Sequence, residues 1–243
     1  MALVVDTPVM APMVRKLCLW QPLSDADKRA VLDLPHTLRS FDAGNYLVEE
    51  GDSRSDCCLL LSGYAFRQKV AGAGGRQILA MHIAGDVVDL QNSLLRRADH
   101  SVQALSAVQV ALIPREAIVA LAFSRPGVGL AMWYDTLVDG SLYREWMTNI
   151  GRRDARTRIA HLLCEFGSRL EAVGLGSTAG YEMPMTQEQI ADATGLTTVH
   201  VNRILMGLDR QGLTQRTRRS VIIHDWDRLC DVGDFSRDYL HLD

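Results

Sequence analysis

Thr186-Gln-Glu-Gln-Ile-Ala-Asp-Ala-Thr-Gly-Leu-Thr-Thr-Val-His-Val-Asn-Arg203 is the stretch that decides how this 243-residue chain folds. Thr186 and Gln189 stand three residues apart, a capping-box pattern that predicts the start of a helix. Gly195 supplies the left-handed residue that a tight turn after this helix requires. Thr197 or Thr198 then caps a second helix. Two helices joined by a short turn containing glycine form a helix-turn-helix motif.

Apolar residues recur at spacings of three and four on both predicted helices. Ile190 and Ala193 belong to the first helix, and Val201, Leu205 and Leu208 belong to the second. Residues at these spacings share one helix face, so we expect both faces to point into a common core. The polar beginning of the second helix is then left exposed.

The exposed residues at the beginning of the second helix match the chemistry of base recognition in DNA. In helix-turn-helix motifs this part of the second helix lies in the major groove. Arginine pairs there with guanine, asparagine pairs with adenine, and an apolar side chain contacts the methyl group of thymine. The residues predicted to contact DNA are Thr186, Gln187, Thr197, Thr198, Val199, His200, Asn202 and Arg203.

A basic hairpin, or wing, is predicted after the second helix, between Gly212 and Ile223. Residues 197–224 hold five arginines and one acidic residue, although the formal charge of the whole chain is −3. The local cluster is therefore more informative than the overall charge. Arg216, Arg218 and Arg219 are predicted to contact the DNA backbone, which fixes register without reading sequence. A solvated basic loop is the alternative interpretation.

Short strands alternate with glycine-containing turns between residues 38 and 115. The predicted strands are Leu38–Phe41, Tyr46–Val48, Cys57–Leu61, Ala65–Val70, Gln77–His82, Val102–Leu105 and Gln109–Ile113. Many short strands at this spacing are typical of an antiparallel barrel or sandwich and not of βαβ units. The run 71–75 lacks the Gly-Lys-Ser/Thr continuation of a phosphate-binding loop, so we predict a hairpin tip there.

The pattern becomes helical after Pro114. A short helix is predicted over Arg115–Phe123, a helix of about 24 residues over 126–151, and a third helix from Asp154 to about Val173. The apolar face of the long helix consists of Leu130, Trp133, Tyr134, Leu137, Tyr143, Met147 and Ile150. Symmetric pairing with a second copy would bury this face, so a homodimer through residues 126–151 is expected. Packing of the face on the chain's own barrel is the alternative.

Composition argues against several classes of protein. Hydrophobic residues make up 47% and charged residues 23%, as is usual for a soluble globular protein. No apolar run approaches the roughly 18 to 20 residues that span a bilayer, and residues 1–14 lack the basic start of a secretory signal. We therefore expect a cytoplasmic protein with no membrane partner. The five cysteines, at positions 18, 57, 58, 164 and 230, form no C-x-x-C pair, so we expect free thiols and no metal site.

These parts, in this order, resemble the Crp/Fnr family of bacterial regulators over about residues 20–225. The resemblance rests on the glycine-punctuated strands, on Gly85-Asp86, on Arg158-Ile159-Ala160 and on Gly195 through Leu205. It implies an α+β fold with three parts. These are an N-terminal antiparallel β jelly-roll barrel that acts as sensor (1–125), a long dimerisation helix with a hinge (126–153) and a C-terminal winged helix-turn-helix domain (154–243).

The resemblance also implies a homodimeric transcription regulator that binds a near-palindromic site in double-stranded DNA. An activator of this kind would also contact RNA polymerase. Thr198, Val199 and Arg203 match the family's base-reading positions. Glutamate often stands where this chain has Val199, so the preferred DNA sequence is expected to differ from the best-known family sites.

The sensor region departs from the family members that bind cyclic AMP. Those members hold the phosphate and ribose of the nucleotide with a Gly-Glu pair and an Arg-Ser pair, where this chain has Asp89-Leu90 and His100-Ser101. The phosphate would lose its charge-assisted arginine partner, so cyclic AMP is not expected. The residues that correspond to the effector pocket are Asp86, Asp89, Leu90, His100, Ser101, Tyr143 and Arg144. The sequence does not identify the effector that would bind these residues, and a protein that needs no effector at all is the alternative.

Sensing through a cofactor is not expected either. The iron–sulfur members of the family use four cysteines, mostly clustered near the N-terminus, where this chain has Cys18 alone. The formal candidates for a haem ligand are His36, His82, His100 and His161. Each is expected to be a surface histidine or one with a protein partner. Cys57 and Cys58 are interpreted as core residues, with a thiol switch as the alternative.

Two other functions match part of the pattern. An enzyme built on a cupin-like barrel needs inward histidine and carboxylate ligands, and the barrel region has His82 and His100 without a His-x-His pair. We therefore expect no enzyme. The second alternative is a barrel that binds a small molecule or a partner protein, with the winged helix used for protein contacts.

Overall fold

The computed structural model describes residues 8–242, which form two compact units. One unit holds the chain up to Ala65 together with His82–Thr136. The other holds Phe66–Met81 and the chain from Leu137 onward. The structure confirms the α+β class, with a β-rich N-terminal part, a long helix and a C-terminal helix-turn-helix. The domain boundaries after residues 125 and 153 remain predictions.

The element bounds agree with the sequence pattern wherever strands were predicted. The strands are β1 (Thr37–Phe41), β2 (Tyr46–Val48), β3 (Asp56–Ser62), β4 (Ala65–Val70), β5 (Arg76–His82), β6 (Ser101–Ala104), β7 (Val108–Pro114), β8 (Gly180–Glu182), β9 (Thr214–Arg216) and β10 (Ser220–Ile223). The helices are α1 (Ala11–Trp20), α2 (Asp25–Leu32), α3 (Arg115–Ser124), α4 (Pro126–Arg152), α5 (Ala155–Ala172), α6 (Gln187–Thr194), α7 (Thr198–Arg210) and α8 (Trp226–Gly233). The long helix α4 has 27 residues, slightly more than predicted.

Two helices that the sequence analysis did not predict, α1 and α2, begin the described part of the chain. Ser24 caps α2, because its hydroxyl accepts a hydrogen bond from the Asp27 backbone N–H at 3.1 Å. Met13 and Leu17 of α1 are buried in one core cluster with Leu59 of β3. The helical spacing of Met13 and Leu17 is the signal from which α1 was recoverable.

The strands of the first unit pair antiparallel, as predicted. Three of them form a sheet in the order β1-β7-β3. Arg39 of β1 lies opposite Val110 of β7, and Leu59 of β3 lies opposite Ala111 of β7. Strand β2 pairs antiparallel with β6.

Cys57 and Cys58 lie on opposite sides of β3, as adjacent residues of a strand must. Cys57 packs with Leu59 in one core cluster, and Cys58 packs with Leu60 in a second cluster. Burial raises the pKa of both thiols well above that of an exposed cysteine. The interpretation as core residues is confirmed, and a raised pKa is unfavourable for thiolate chemistry at either position.

The tip of the hairpin formed by β4 and β5 spans residues 71–75. The backbone N–H of Ala71 donates to the carbonyl oxygen of Gly75 at 2.9 Å, and the N–H of Gly74 donates to the carbonyl oxygen of Ala71 at 2.8 Å. These two bonds close a tight turn, which confirms the predicted hairpin tip.

No single helix of residues 8–242 is both long enough and apolar enough to cross a bilayer. Helices α3 and α4 reach that length and composition only when taken together, and they are bent by 117° where they meet.

Helix α5 begins at the residue that the sequence predicted. The carboxylate of Asp154 accepts hydrogen bonds from the backbone N–H groups of Arg156 at 2.9 Å and Thr157 at 3.0 Å. The predicted inward residues are all buried, namely Ile159, Leu162, Leu163, Phe166 and Leu170. The N-cap and the inner face of α5 are therefore confirmed.

Two titratable side chains of α5, His161 and Glu165, are buried in a polar network. Trp146 Nε1 donates to both carboxylate oxygens of Glu165, at 2.9 and 3.0 Å, and the Tyr239 hydroxyl donates to the same carboxylate at 2.9 Å. His161 Nδ1 lies 3.0 Å from the carbonyl oxygen of Gly233, and its Nε2 lies 2.9 Å from the Tyr239 hydroxyl oxygen. Burial lowers the pKa of His161 from its ordinary value.

We predict that acidification destabilises the protein through His161. A histidine whose pKa is lowered by folding binds its proton more weakly in the folded state than in the unfolded chain. Stability is therefore lost as the pH falls below the unfolded pKa of 6.5. Urea unfolding at about pH 7.5 and about pH 5.5 measures this loss, which cannot exceed roughly 1.4 kcal/mol per pH unit for one group.

The variant His161→Gln is expected to lose less unfolding free energy on acidification than the unmodified protein. The control is His224→Gln, at an exposed position of the same unit, which keeps the full loss. If acidification lowered the unfolding free energy equally with and without His161, this histidine would not be the source of the loss.

Candidate nucleic-acid interface

The first helix of the motif, α6, begins with the predicted capping box. The Thr186 hydroxyl accepts a hydrogen bond from the Gln189 backbone N–H at 3.2 Å, and the Gln189 side-chain oxygen accepts one from the Thr186 backbone N–H at 2.8 Å. The backbone N–H groups of Thr186 and Gln189 are thus each satisfied by the side chain of the other residue. The helix start at Thr186 is confirmed.

The turn between α6 and α7 has the predicted conformation. Gly195 adopts φ of 66°, in the left-handed region that favours glycine, and its N–H donates to the carbonyl oxygen of Ala191. Thr197 then caps α7, because its hydroxyl accepts a hydrogen bond from the His200 backbone N–H at 3.3 Å. The alternative between Thr197 and Thr198 is thereby decided for Thr197.

The apolar faces of α6 and α7 are buried, which confirms the predicted inner face. The side chains concerned are Ile190, Ala193, Val201, Leu205 and Leu208, all of them at most 3% exposed. Their burial fixes which residues of α7 remain outside. Thr198, Val199, Asn202 and Arg203 are exposed and His200 is half-buried.

Two exposed residues of α7 have features that bear on recognition. Val199 is 80% exposed, so its side chain is available for contact. The Gln187 side-chain amide donates to Asn202 Oδ1 at 3.1 Å, so α6 orients the asparagine of α7. The sequence named both Gln187 and Asn202, but nothing in their spacing indicated that they contact each other.

The wing is a three-stranded sheet in the order β8-β10-β9, so the prediction of two strands was incomplete. Val221 of β10 lies opposite Arg216 of β9 and opposite Tyr181 of β8. β8 is only three residues long and pairs with a segment about 40 residues later. Its own sequence carries no alternation from which a strand could be predicted.

The three predicted arginines of the wing are in different environments. Arg218 and Arg219 are exposed, and the turn that carries them is closed by a hydrogen bond from the Thr217 N–H to the Ser220 carbonyl oxygen at 2.9 Å. Arg216 is half-buried, and burial lowers the pKa of its guanidinium. Arg216 is therefore the least accessible of the three.

An open groove of about 510 Å³ lies between α7 and the wing. Its polar lining includes Gln187, Asn202, Asp209, Arg216, Arg218 and Arg219. The structure thus brings the beginning of the motif, the second helix and the wing together at one surface of the second unit. Arg203 is exposed on the same helix but does not line this groove.

Arg158 of α5 holds the end of α6. Its Nη1 donates to the carbonyl oxygen of Thr194 at 3.0 Å, and its Nε donates to the carbonyl oxygen of Arg153 at 2.9 Å. Thr194 is the last residue of α6, where unpaired carbonyls favour a cation. The sequence pattern does not indicate this contact, since it joins residues 36 positions apart.

Arg76 and Gln77 at the start of β5 also contact α6, and all of these residues belong to the second unit. The Arg76 guanidinium pairs with the Asp192 carboxylate at 2.6 Å, and the Gln77 side-chain amide donates to the Asp192 carbonyl oxygen at 2.7 Å. The sequence pattern does not indicate this contact either. It shows that the β4–β5 hairpin packs with the helix-turn-helix.

The predicted effector residues of the first unit are engaged with their own loops. Asp89 Oδ1 accepts from the Cys58 backbone N–H at 2.7 Å, and Asp86 accepts from the Ile83 N–H at 3.1 Å. The Ser101 hydroxyl accepts from the Glu50 N–H at 2.9 Å. Leu90 is half-buried, and His100 Nδ1 lies 2.7 Å from Asp99 Oδ1.

The other two predicted effector residues, Tyr143 and Arg144, belong to the second unit. The Arg67 guanidinium lies over the Tyr143 ring at 5.4 Å from its centroid and pairs with Asp139 at 2.9 Å. Arg144 donates to the Ser141 hydroxyl at 2.8 Å. Among residues 8–242, no three histidine, cysteine or acidic side chains are grouped so as to hold a metal ion.

Two segments of the chain match known protein families. Residues 38–125 match the cyclic nucleotide-binding domain family, and residues 157–232 match the Crp-like helix-turn-helix domain family. The chain is 29% identical to the transcriptional activator protein FnrL of Cereibacter sphaeroides over 217 residues, which cover 87% of each protein. It is 27% identical to the nitrogen fixation regulation protein FixK of Azorhizobium caulinodans over 168 residues, 69% of this chain and 67% of that protein.

The fold is also similar to that of solved structures. The structure of FixK2 from Bradyrhizobium japonicum superposes with a TM-score of 0.76 at 24% identity, covering 84% of this chain and all of that one. A CooA variant from Carboxydothermus hydrogenoformans superposes with a TM-score of 0.67 at 18% identity and covers 94% of this chain.

Adjacent threonines provide a test of the local structure. Thr197→Ala removes the acceptor that caps α7 and is expected to lower the unfolding free energy by about 1 kcal/mol. Thr198→Ala removes no cap and is expected to change it by less than about 0.5 kcal/mol. Urea denaturation of both variants measures the difference. Equal losses would contradict the cap assignment.

Proposed function

Because the chain belongs to the Crp/Fnr family of DNA-binding transcription regulators, which act as dimers, we propose how it engages its site. Two copies of α7 enter successive major grooves of a near-palindromic duplex, about one helical turn or roughly 34 Å apart. The observation that carries this proposal is the exposed polar beginning of α7, whose Asn202 lines a groove together with the basic wing. The protein is proposed to act as a regulator and not as an enzyme, in the cytoplasm.

Base recognition is assigned to the exposed residues of α7. Arg203 is proposed to pair with guanine, and Asn202, oriented by Gln187, with adenine. Val199, at 80% exposure, presents the apolar surface that a thymine methyl group accepts. Thr198 and His200 lie on the same first turns of the helix. The preferred sequence is then expected to differ from the best-known family sites, where a glutamate often stands at the position of Val199.

Backbone contacts are assigned to the wing and to the two helix starts. Arg218 and Arg219 are exposed cations at the wing turn. Thr186, Gln187 and Thr197 lie at the N-terminal ends of α6 and α7, where backbone N–H groups favour phosphate. Arg216 is half-buried near Asp209, so we assign it the smaller role of supporting the wing.

Dimerisation is assigned to α4. Trp133, Leu137 and Met147 of this helix are 64%, 55% and 74% exposed, respectively. Such large apolar side chains on one helix favour burial against a second copy. The spacing between Trp133 and Leu137 places them on one face, as coiled-coil pairing requires.

The sensor function is proposed only in outline. The proposed effector residues are Asp86, Asp89, Leu90, His100 and Ser101 of the first unit and Tyr143 and Arg144 of the second. Asp86, Asp89 and Ser101 each accept a backbone hydrogen bond, which supports an effector other than cyclic AMP or none. Relatives named as activators support a contact with RNA polymerase.

The alternative to DNA binding is a winged helix that contacts another protein.

Arg203 and Arg218 are predicted to act differently on DNA. Arg203→Ala is expected to lower affinity for the preferred site by about 10- to 100-fold and to relax the preference at one base pair. Arg218→Ala is expected to weaken all duplexes alike and to reduce the slope of log K against log salt by about 1. Fluorescence anisotropy with specific and random duplexes measures both.

The control for the DNA measurements is Arg210→Ala, at an exposed position at the far end of α7. It removes the same charge and is expected to leave affinity nearly unchanged. If Arg203→Ala weakened specific and random duplexes by the same factor, base reading by this residue would be wrong. If it weakened neither, the alternative of protein contacts would be favoured.

Leu137→Glu is predicted to convert the dimer into monomers, because it places a charge in the proposed apolar interface. The matched control is Phe123→Glu on α3, where the native side chain is 80% exposed but lies outside α4. Analytical ultracentrifugation is expected to find a monomer for the first variant and a dimer for the second. A dimer of unchanged stability in Leu137→Glu would place the interface elsewhere.

A further inference from the structure

Helices α5 and α8 pack closely against each other, and two contacts show their relative direction. A Cβ placed on Gly233 would lie 2.9 Å from the backbone nitrogen of His161, so only glycine allows this approach. One end of the contact is thus Gly233 against His161. At the other end, a Cβ placed on Gly167 would lie 3.5 Å from Trp226 Cζ3. The two helices are therefore antiparallel, with residue numbers falling on α8 as they rise on α5.

This register brings two cysteines together. Cys230 lies between Trp226 and Gly233 on α8, and Cys164 lies between His161 and Gly167 on α5. Their sulfur atoms are 3.9 Å apart. A disulfide bond has a length of about 2.05 Å, so closure requires a shift of about 2 Å between the sulfurs.

The two thiols differ in access and in acidity. Cys164 is fully buried and Cys230 is half-buried. The hydrogen bond between the two thiols lowers the pKa of Cys230, and the nearby Arg237 lowers it further. The same hydrogen bond and burial raise the pKa of Cys164. The accessible sulfur is therefore also the one that ionises first, which is the order that a dithiol reaction needs.

We propose that Cys164 and Cys230 form an oxidisable dithiol, which a peroxide converts into a disulfide within one chain. The Cys230 thiolate attacks one peroxide oxygen, so that an S–O bond forms and the O–O bond breaks. The hydroxide that leaves takes up the proton from Cys230 and becomes water. Cys230 is then a sulfenic acid, oxidised by two electrons, and the peroxide is reduced by two.

Cys164 completes the reaction. Its sulfur attacks the sulfur of Cys230, so that the S–S bond forms and the S–O bond breaks. The departing hydroxide takes the proton of Cys164 and becomes a second water. With hydrogen peroxide, two thiols and one peroxide thus become one disulfide and two waters. The bond joins α8, which begins three residues after the last wing strand, to α5.

Peptide mapping of the full-length protein tests the proposal. The reduced protein is treated with hydrogen peroxide, quenched in acid and digested with trypsin without reductant. Residues 159–169 and 229–237 form tryptic peptides with one cysteine each. We expect these two peptides to be joined at a mass about 2 Da below their sum, since two hydrogens are lost. Mixing with isotope-labelled protein distinguishes a link within one chain from a link between two.

Three variants separate the steps. Cys164→Ser is expected to stop at the sulfenic acid of Cys230, which dimedone traps. Cys230→Ser is expected to leave Cys164 unmodified, because that thiol is buried and protonated. Cys18→Ser is the control at another half-buried cysteine and is expected to form the disulfide like the unmodified protein.

The thermal midpoint offers a second measurement that does not depend on digestion. Oxidation is expected to raise the midpoint by at least about 5 °C, because the bond closes a long loop in the unfolded chain. Cys164→Ser and Cys230→Ser are expected to show no such rise. A folded protein that consumes peroxide without forming the 159–169 to 229–237 link would overturn the proposal. So would a link confined to different chains.

Discussion

The second unit depends on one constraint, the nearly complete burial of α5. Residues 159–170 of this helix are all buried, so its polar side chains cannot be hydrated and need partners inside the protein. Glu165 accepts hydrogen bonds from Trp146 and Tyr239, and the Arg169 guanidinium donates to the Met81 carbonyl oxygen at 2.9 Å. Each partner comes from a different segment. The polar groups of α5 therefore fix the segments around it in place.

Helix α5 contacts the segments on both sides of α7 and the wing. Arg158, on the first turns of α5, binds the last carbonyl of α6. His161 and Cys164 contact α8, which follows the wing. The geometry between α7 and the wing therefore depends on contacts that lie away from the proposed DNA-binding surface. Oxidation of the Cys164–Cys230 pair would act on that geometry without touching a residue proposed to contact DNA.

The sequence predicted those features that are encoded locally. Alternation and glycine turns gave all seven strands between β1 and β7 to within one residue at each end. The capping box at Thr186 and the left-handed Gly195 gave the motif, because a few neighbouring residues determine each of them. Helix α8 was not predicted. It lies in a segment rich in aspartate, and its two buried residues, Leu229 and Gly233, are too few to form a clear apolar pattern.

Contacts between distant segments were not predictable from such patterns. Gln187 with Asn202, and Arg158 with Thr194, join residues whose separation leaves no periodic signal. The half-burial of Arg216 was missed because a cluster of arginines was treated as uniformly exposed. The burial of Arg216 depends on the direction in which its side chain leaves β9, beside Asp209.

Selection of duplexes from a random pool tests the central claim most directly. The protein is incubated with random DNA, the bound fraction is amplified and sequenced, and the cycle is repeated at rising salt. The account predicts an enriched near-palindrome with half-site centres about 10 base pairs apart, one helical turn. It also predicts that the enriched motif differs from that selected by a Val199→Glu variant. A bound pool that remains random at every salt concentration would contradict it.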